Sequence, residues 1–301
     1  MIKLGCNAMM KAARQLPHPD KDDSRNWVDI EKLVHLICDL RLDIVDFQLY
    51  RGFRSSDRAY LSHIKKLCQQ CGLPIGFLGV GSGFVGVGAE QGPDGNTLGA
   101  PLAEEELRRR IDEVKKGIDL AAFMSAPLVR LFGGAIPEES PARDALWATV
   151  VRSFQEVSDY AAGKGIFTGL HNHAPATAPT GDDVLRLLRD VDRDNFTYIL
   201  DTGQWYGSPG SAAKWEDEPG ADFYEFMEQT APYATYVRAK IYKIDSGREE
   251  WIDYERVVDI LRKVNFNGNM SIVLEDRGNT CSDEEAVELA AKYLRGLLAD
   301  Y

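Results

Sequence analysis

The chain has 301 residues, 44% of them hydrophobic and 27% charged, the composition of an ordinary globular protein. Its 35 Lys and Arg against 47 Asp and Glu leave a net charge of −12, a field that repels nucleic acid and acidic membrane surfaces. No apolar run reaches the roughly 18 residues that cross a bilayer. The opening Met-Ile-Lys-Leu-Gly-Cys lacks a signal-peptide pattern, so a cytoplasmic protein is expected.

Short apolar runs predict eight strands: 2–7, 44–49, 75–80, 128–132, 166–171, 197–201, 236–241 and 271–275. Each is rich in Ile, Val, Leu, Phe or Tyr, as for strands covered on both faces. Between them run stretches of helical period. Ile30, Leu33, Val34 and Ile37 share one face; Glu104–Phe123 carries Leu107, Ile111, Val114 and Ile118 at helical spacing. Val184 to Leu188, Val257 to Val264 and Ala286–Leu298 continue the pattern. Gly72, Gly163 and Gly165 stand where helices must end in a left-handed residue.

Strand–helix alternation implies parallel strands joined by crossover helices, and eight repeats favour closure into a single-domain (β/α)8 barrel over residues 1–301. A doubly wound open sheet is the alternative, but no Gly-x-Gly-x-x-Gly follows the first strand, so no nucleotide cofactor is expected. The Gly-rich stretch Gly79–Gly99 reads as a long irregular insertion after the third strand. It is expected to act as a lid or as a rim contact with a second copy in a homo-oligomer. A second insertion, Gly207–Ala221, follows the sixth strand. Five cysteines include a C-x-x-C at Cys68 and Cys71, but no further Cys or His pair follows at metal-site spacing, so buried reduced thiols are expected.

In a closed barrel the strand carboxyl ends meet at one mouth. The fifth strand ends in His171-Asn172-His173, the sixth in Asp201-Thr202-Gly203-Gln204. The seventh contains Arg238-Ala239-Lys240, and the eighth ends in Glu275-Asp276-Arg277. One Asp after an apolar run is commonly a helix cap, and one Glu is commonly solvated. Four consecutive strands ending this way point instead to a functional cluster. His171, Asp201 and Glu275 offer nitrogen and oxygen ligands for Mn2+, Mg2+ or Zn2+. Glu275 in a partly dry pocket fits a general base whose pKa is raised, with His173 next in line. Lys240 suits a developing enediolate oxygen. Arg238, Asn172 and Gln204 are expected to contact substrate.

These residues carry a family resemblance. Leu200-Asp201-Thr202-Gly203, Asn172-His173, Lys240, Glu275 and the run Val129-Arg130-Leu131-Phe132-Gly133-Gly134 resemble motifs of the xylose-isomerase-like sugar phosphate isomerase/epimerase family. The resemblance implies a sugar or cyclitol isomerase or epimerase, assisted by a divalent metal. Two positions depart from it. His171 stands where the family has a metal-binding catalytic Glu, as in relatives that resemble inosose dehydratase, and Arg238 stands where it has a metal-binding His. Epimerases of the family use two opposed carboxylates, so these changes count against a symmetrical two-base reaction. They open two alternatives: a metal-independent lyase or dehydratase relative, and a noncatalytic subunit of a two-component C-glycoside-cleaving system.

Overall fold

A computed structural model describes residues 1–7, 16–17, 26–27, 29–49, 53–80, 83–91, 97–134, 136, 143–173, 178, 180–205, 207–209, 220, 222–275, 278–299 and 301. Eight strands form the barrel: β1 Lys3–Asn7, β2 Ile44–Gln48, β3 Ile75–Gly79, β4 Leu128–Leu131, β5 Phe167–His171, β6 Phe196–Asp201, β7 Ala234–Ile241 and β8 Asn269–Leu274. They pair in parallel in the order β1-β8-β7-β6-β5-β4-β3-β2, and β2 returns to β1 through Gly5 to Asn7 against Ile44 to Asp46. Eight α-helices lie among the described residues: α1 Ile30–Asp39, α2 Arg58–Gln70, α3 Glu104–Met124, α4 Arg143–Ala162, α5 Gly181–Val191, α6 Phe223–Thr230, α7 Tyr254–Lys263 and α8 Asp283–Leu298. This is the expected (β/α)8 barrel, and every expected strand lies within two residues of its observed ends. None of the described helices is long and apolar enough to cross a membrane.

The two faces of each strand have different fates, because successive side chains point to opposite sides. Leu4, Cys6, Val45, Phe47, Val129, Leu131, Val237, Ala239, Ile272 and Leu274 join the core shared with the helices. The alternate positions turn inward, where Phe77, Leu128, Ile199 and Tyr236 form a separate cluster that plugs the barrel. The Phe77 and Tyr236 rings meet edge to face, 5.3 Å between centroids. Above this plug the same inward positions become polar: Gln48, Arg130, His171, Asp201, Arg238 and Lys240 are all buried. The strand period therefore delivers the polar set to one end of the barrel.

Helix ends follow local chemistry. Asp29, Thr180, Asp253 and Ser282 each accept a backbone N–H of the first turn they cap. Gly72 and Gly165 take φ of 66° and 68°, as their places after α2 and α4 require. Gly163 is not among the residues with positive φ; the left-handed turn falls two residues later.

The stretch Gly79–Gly99 corrects the sequence reading. It holds an antiparallel pair, Gly86–Gln91 with Thr97–Ala100, rather than irregular chain throughout. Its glycines hide the strand signal because they supply no alternating side chains. Of Gly207–Ala221, only 207–209 and 220 fall among the described residues.

Phe77→Ala should cost about 3–5 kcal/mol, because deleting a fully buried ring leaves a cavity in the plug. The measurement is the urea midpoint at unchanged slope. A midpoint equal to that of the parent would mean the barrel interior does not depend on this ring.

Candidate active site

Asp201 sits at the end of β6 with no solvent exposure. Its Oδ1 accepts the Gly203 N–H at 3.0 Å. Its Oδ2 lies 2.8 Å from His171 Nε2, 3.0 Å from Arg238 Nη1 and 3.8 Å from Lys240 Nζ. Lys240 Nζ in turn donates to Glu275 Oε1. One buried carboxylate is thus bridged to a second, nearer the surface, through the ammonium of Lys240.

The backbone around Asp201 is fixed by three neighbours. Asn172 Oδ1 accepts the Asp201 N–H at 2.8 Å and the Tyr198 hydroxyl at 2.9 Å, and its Nδ2 donates to the Asp201 carbonyl at 3.0 Å. Thr202 Oγ1 accepts the Lys240 N–H at 3.0 Å and lies 2.8 Å from the Tyr254 hydroxyl, which donates to the Lys240 carbonyl at 2.6 Å. Gly203 has no room for a side chain: a Cβ there would fall 2.5 Å from the Tyr242 hydroxyl and 2.6 Å from Lys240 Cγ. The Leu-Asp-Thr-Gly run therefore has a physical reading, one carboxylate followed by two residues that lock it against β7. Asn172, expected on substrate, is fully buried and directs its amide at Asp201 and Tyr198 instead.

His171 and His173 are both held neutral. Burial pushes the His171 imidazole well below its ordinary range, and the charges of Arg238 and Arg130 push the same way. Burial, helped by Lys240, lowers His173 to about 4. The two rings lie 5.6 Å apart, and both contact Phe132, at 4.9 and 5.3 Å. Glu275 behaves contrary to the sequence expectation of a raised pKa. Burial alone would raise it, but the Lys240 ammonium outweighs burial and holds the carboxyl below its usual range. It is an ionised carboxylate at neutral pH. Gln204 is half-buried in the turn after β6. Asp276 and Arg277 lie outside the described residues.

Several polar residues of the mouth escaped the sequence reading. Arg130, 3% exposed, donates to Gln48 Oε1 and lies 3.3 Å from His171 Nδ1. Deeper in the barrel, Asp46 accepts the Tyr236 hydroxyl at 2.8 Å and the Phe77 N–H at 3.0 Å, and burial pushes it up to about 7. The signal was present: Ile44-Val-Asp-Phe-Gln and Leu-Val-Arg-Leu place polar side chains at alternate positions of apolar strands. The C-x-x-C, by contrast, stays outside the site. Burial and the neighbouring Cys71 push the Cys68 thiol up to about 12, and both thiols are free.

The donor set does not fit a divalent ion held by His171, Asp201 and Glu275. The point between His171 Nε2 and Asp201 Oδ2, where such an ion would bind, is flanked by Arg238 Nη1 at 2.8 and 3.0 Å. Glu275 is turned to Lys240. Among the described residues, no three His, Cys, Asp or Glu side chains converge as a metal site. Two fixed cations compete directly with any ion for the same carboxylates.

The sequence model of xylose isomerase-like TIM barrels matches residues 3–297. The chain belongs to the xylose isomerase-like TIM barrel family. Solved structures of similar fold include a D-allulose 3-epimerase from Methylomonas sp., with 15% identity, 98% of each chain covered and a TM-score of 0.69. An L-ribulose 3-epimerase shares 16% identity over 99% of this chain and 94% of its own, at a TM-score of 0.69. A 3-keto-D-glucoside 4-epimerase from E. coli shares 13% identity over 99% and 100%, at 0.65. At these identities the likeness is one of fold. No curated protein sequence matches the chain.

For this member of the xylose isomerase-like family, the purified protein should carry far less than one equivalent of divalent metal. Arg238→His should raise that content, because it removes a cation and adds a nitrogen ligand. Plasma emission at matched buffer is the measurement. One equivalent of chelator-resistant metal in the parent would show that Arg238 does not stand in the ion's way.

Proposed function

We propose that the protein is a sugar or cyclitol isomerase or epimerase that moves a proton on the carbon beside a carbonyl, with Lys240 and Arg238 as its fixed positive charges. The observation that carries this is the Asp201–Lys240–Glu275 bridge at the barrel mouth. Glu275, ionised and the most exposed member of the cluster, is the base. When it takes the substrate proton, negative charge leaves the carboxylate and appears on the enediolate oxygen. Lys240 then transfers its hydrogen bond from Glu275 to that oxygen, with Arg238 and Asp201 unmoved behind it. The charges are in place before reaction, so little reorganisation is needed.

His173 suits the remaining step. A neutral imidazole carries one N–H and one lone pair, so it can pass a hydroxyl proton between two neighbouring substrate oxygens. Asp201 is fully buried and committed to three donors, with the Lys240 ammonium 3.8 Å away, which leaves Glu275 as the one reachable carboxylate among the described site residues. A single base that removes a proton and returns it to the adjacent carbon favours aldose–ketose isomerisation over two-base epimerisation. The structural neighbours named above are 3- and 4-epimerases of sugars and of a keto-glucoside, which supports the substrate class.

Glu275→Gln should lower kcat by on the order of 10²–10⁴ while leaving the circular dichroism unchanged. In the parent, deuterium placed on the carbon beside the substrate carbonyl should appear in part on the adjacent carbon of the product. Near-native turnover in the variant, or complete loss of the label to solvent with inversion at one carbon, would overturn the single-base reading. The acid limb of the rate should lie near pH 4, where His173 titrates, and not near 6.5. Neutral His173 persists as pH falls through 6.5 and is lost as pH falls through about 4, while Glu275, held below its usual range, stays ionised through 6.5.

A further inference from the structure

His171 stands in the centre of the mouth, yet both of its nitrogens are already engaged. Nε2 lies 2.8 Å from Asp201 Oδ2, which can only accept, and Nδ1 lies 3.3 Å from Arg130 Nη1, which can only donate. Arg238 Nη1, also only a donor, is 3.4 Å from Nδ1 and 2.8 Å from Nε2. With the proton on Nε2, the ring donates to Asp201 and accepts from Arg130, and one contact, to Arg238, sets donor against donor. Arg238 relieves it by directing its hydrogen to Asp201 Oδ2 at 3.0 Å. With the proton on Nδ1, the ring would accept from Arg238 at Nε2 but face Arg130 donor to donor and Asp201 acceptor to acceptor, two clashes against one. The first tautomer wins.

Arg130 is itself held. Its Nη2 donates to Gln48 Oε1, and its guanidinium lies 4.2 Å from the Phe132 ring centroid. Gly79 makes space for that bond: a Cβ at this position would fall 2.6 Å from Arg130 Nη2 and 2.7 Å from Gln48 Oε1. Strands β2, β3 and β4 thus each contribute one residue to the placement of a single guanidinium.

We propose that Arg130, anchored by Gln48 across Gly79, is a positioning residue that fixes His171 as its Nε2–H tautomer and thereby holds Asp201 in place for the reaction. His171 is then a neutral hydrogen-bond strut and not a second acid or base. Only the effect on turnover rests on the proposed proton transfer; the tautomer stands without it.

The test is 15N NMR of the histidine side chains in the full-length protein, with His171 assigned by loss of its signals in His171→Gln. The parent should show one protonated Nε2 and one unprotonated Nδ1 for His171. Arg130→Gln removes the guanidinium charge and its reach to Nδ1, and Gly79→Ala displaces the guanidinium while keeping every charge. Both should shift His171 toward a mixture of tautomers, and Arg130→Lys should restore part of the parent pattern. If the parent turns over a sugar, kcat should fall by about 10–100-fold in both variants with KM little changed, the range common for residues that orient a site's direct participants. A folded Gly79→Ala and Arg130→Gln with the parent's His171 spectrum would overturn the proposal. So would a parent protonated on Nδ1. Absence of turnover with the expected spectrum would overturn the proposed reaction and leave the positioning intact.

Discussion

A carboxylate without water around it must have its charge met by the protein. Asp201 is in that state at the end of β6, and most of the mouth can be understood as the answer to it. Arg238 and His171 reach Oδ2, Gly203 reaches Oδ1, and Lys240 approaches from above. Removing one partner of such a buried pair commonly costs about 3–5 kcal/mol, because the other charge stays behind. Asn172, Thr202 and Gly203 follow from the same need, since the donors work only if the carboxylate and β7 keep their relative position.

The same constraint shapes the chemistry. Burial, reinforced by two guanidiniums and an ammonium, keeps His171 and His173 from gaining a proton at neutral pH, and the Lys240 ammonium keeps Glu275 from holding one. Among the described residues, the positive charge at the mouth is carried by side chains built into strands. For the proposed proton transfer, this supplies a permanent positive field at the point where an enediolate would form. In the proposed reaction, unlike tasks fall to similar residues: Asp201 organises, Glu275 reacts, His171 braces, and His173 shuttles.

Much of the fold was legible in the sequence, because strand and helix periods are local. The polar ends of the late strands were legible too, once closure was inferred. What the sequence could not show was which polar groups meet one another. Glu275 looked like a base of raised pKa because burial was visible and its contact with Lys240, across two strands, was not. His171, Asp201 and Glu275 looked like ligands because donor type was visible and the intrusion of Arg238 was not. Asn172 read as a substrate contact, but its partners are the Asp201 backbone and a Tyr198 hydroxyl fixed only by the register of β5 and β6. Arg130 and Gln48 carried a readable signal, polar side chains on the inward phase of apolar strands, and pairing them required the barrel to be closed.

The positive charge at Asp201 resides on Arg238 and Lys240, a placement open to direct measurement. A crystal of the protein grown with millimolar Mn2+, measured at the manganese edge, reads this without reference to any substrate. No anomalous peak is expected within coordination distance of Asp201 and Glu275, with the Arg238 guanidinium against Asp201 and the Lys240 ammonium against Glu275. A strong peak shared by His171, Asp201 and Glu275, with Arg238 turned away, would contradict it.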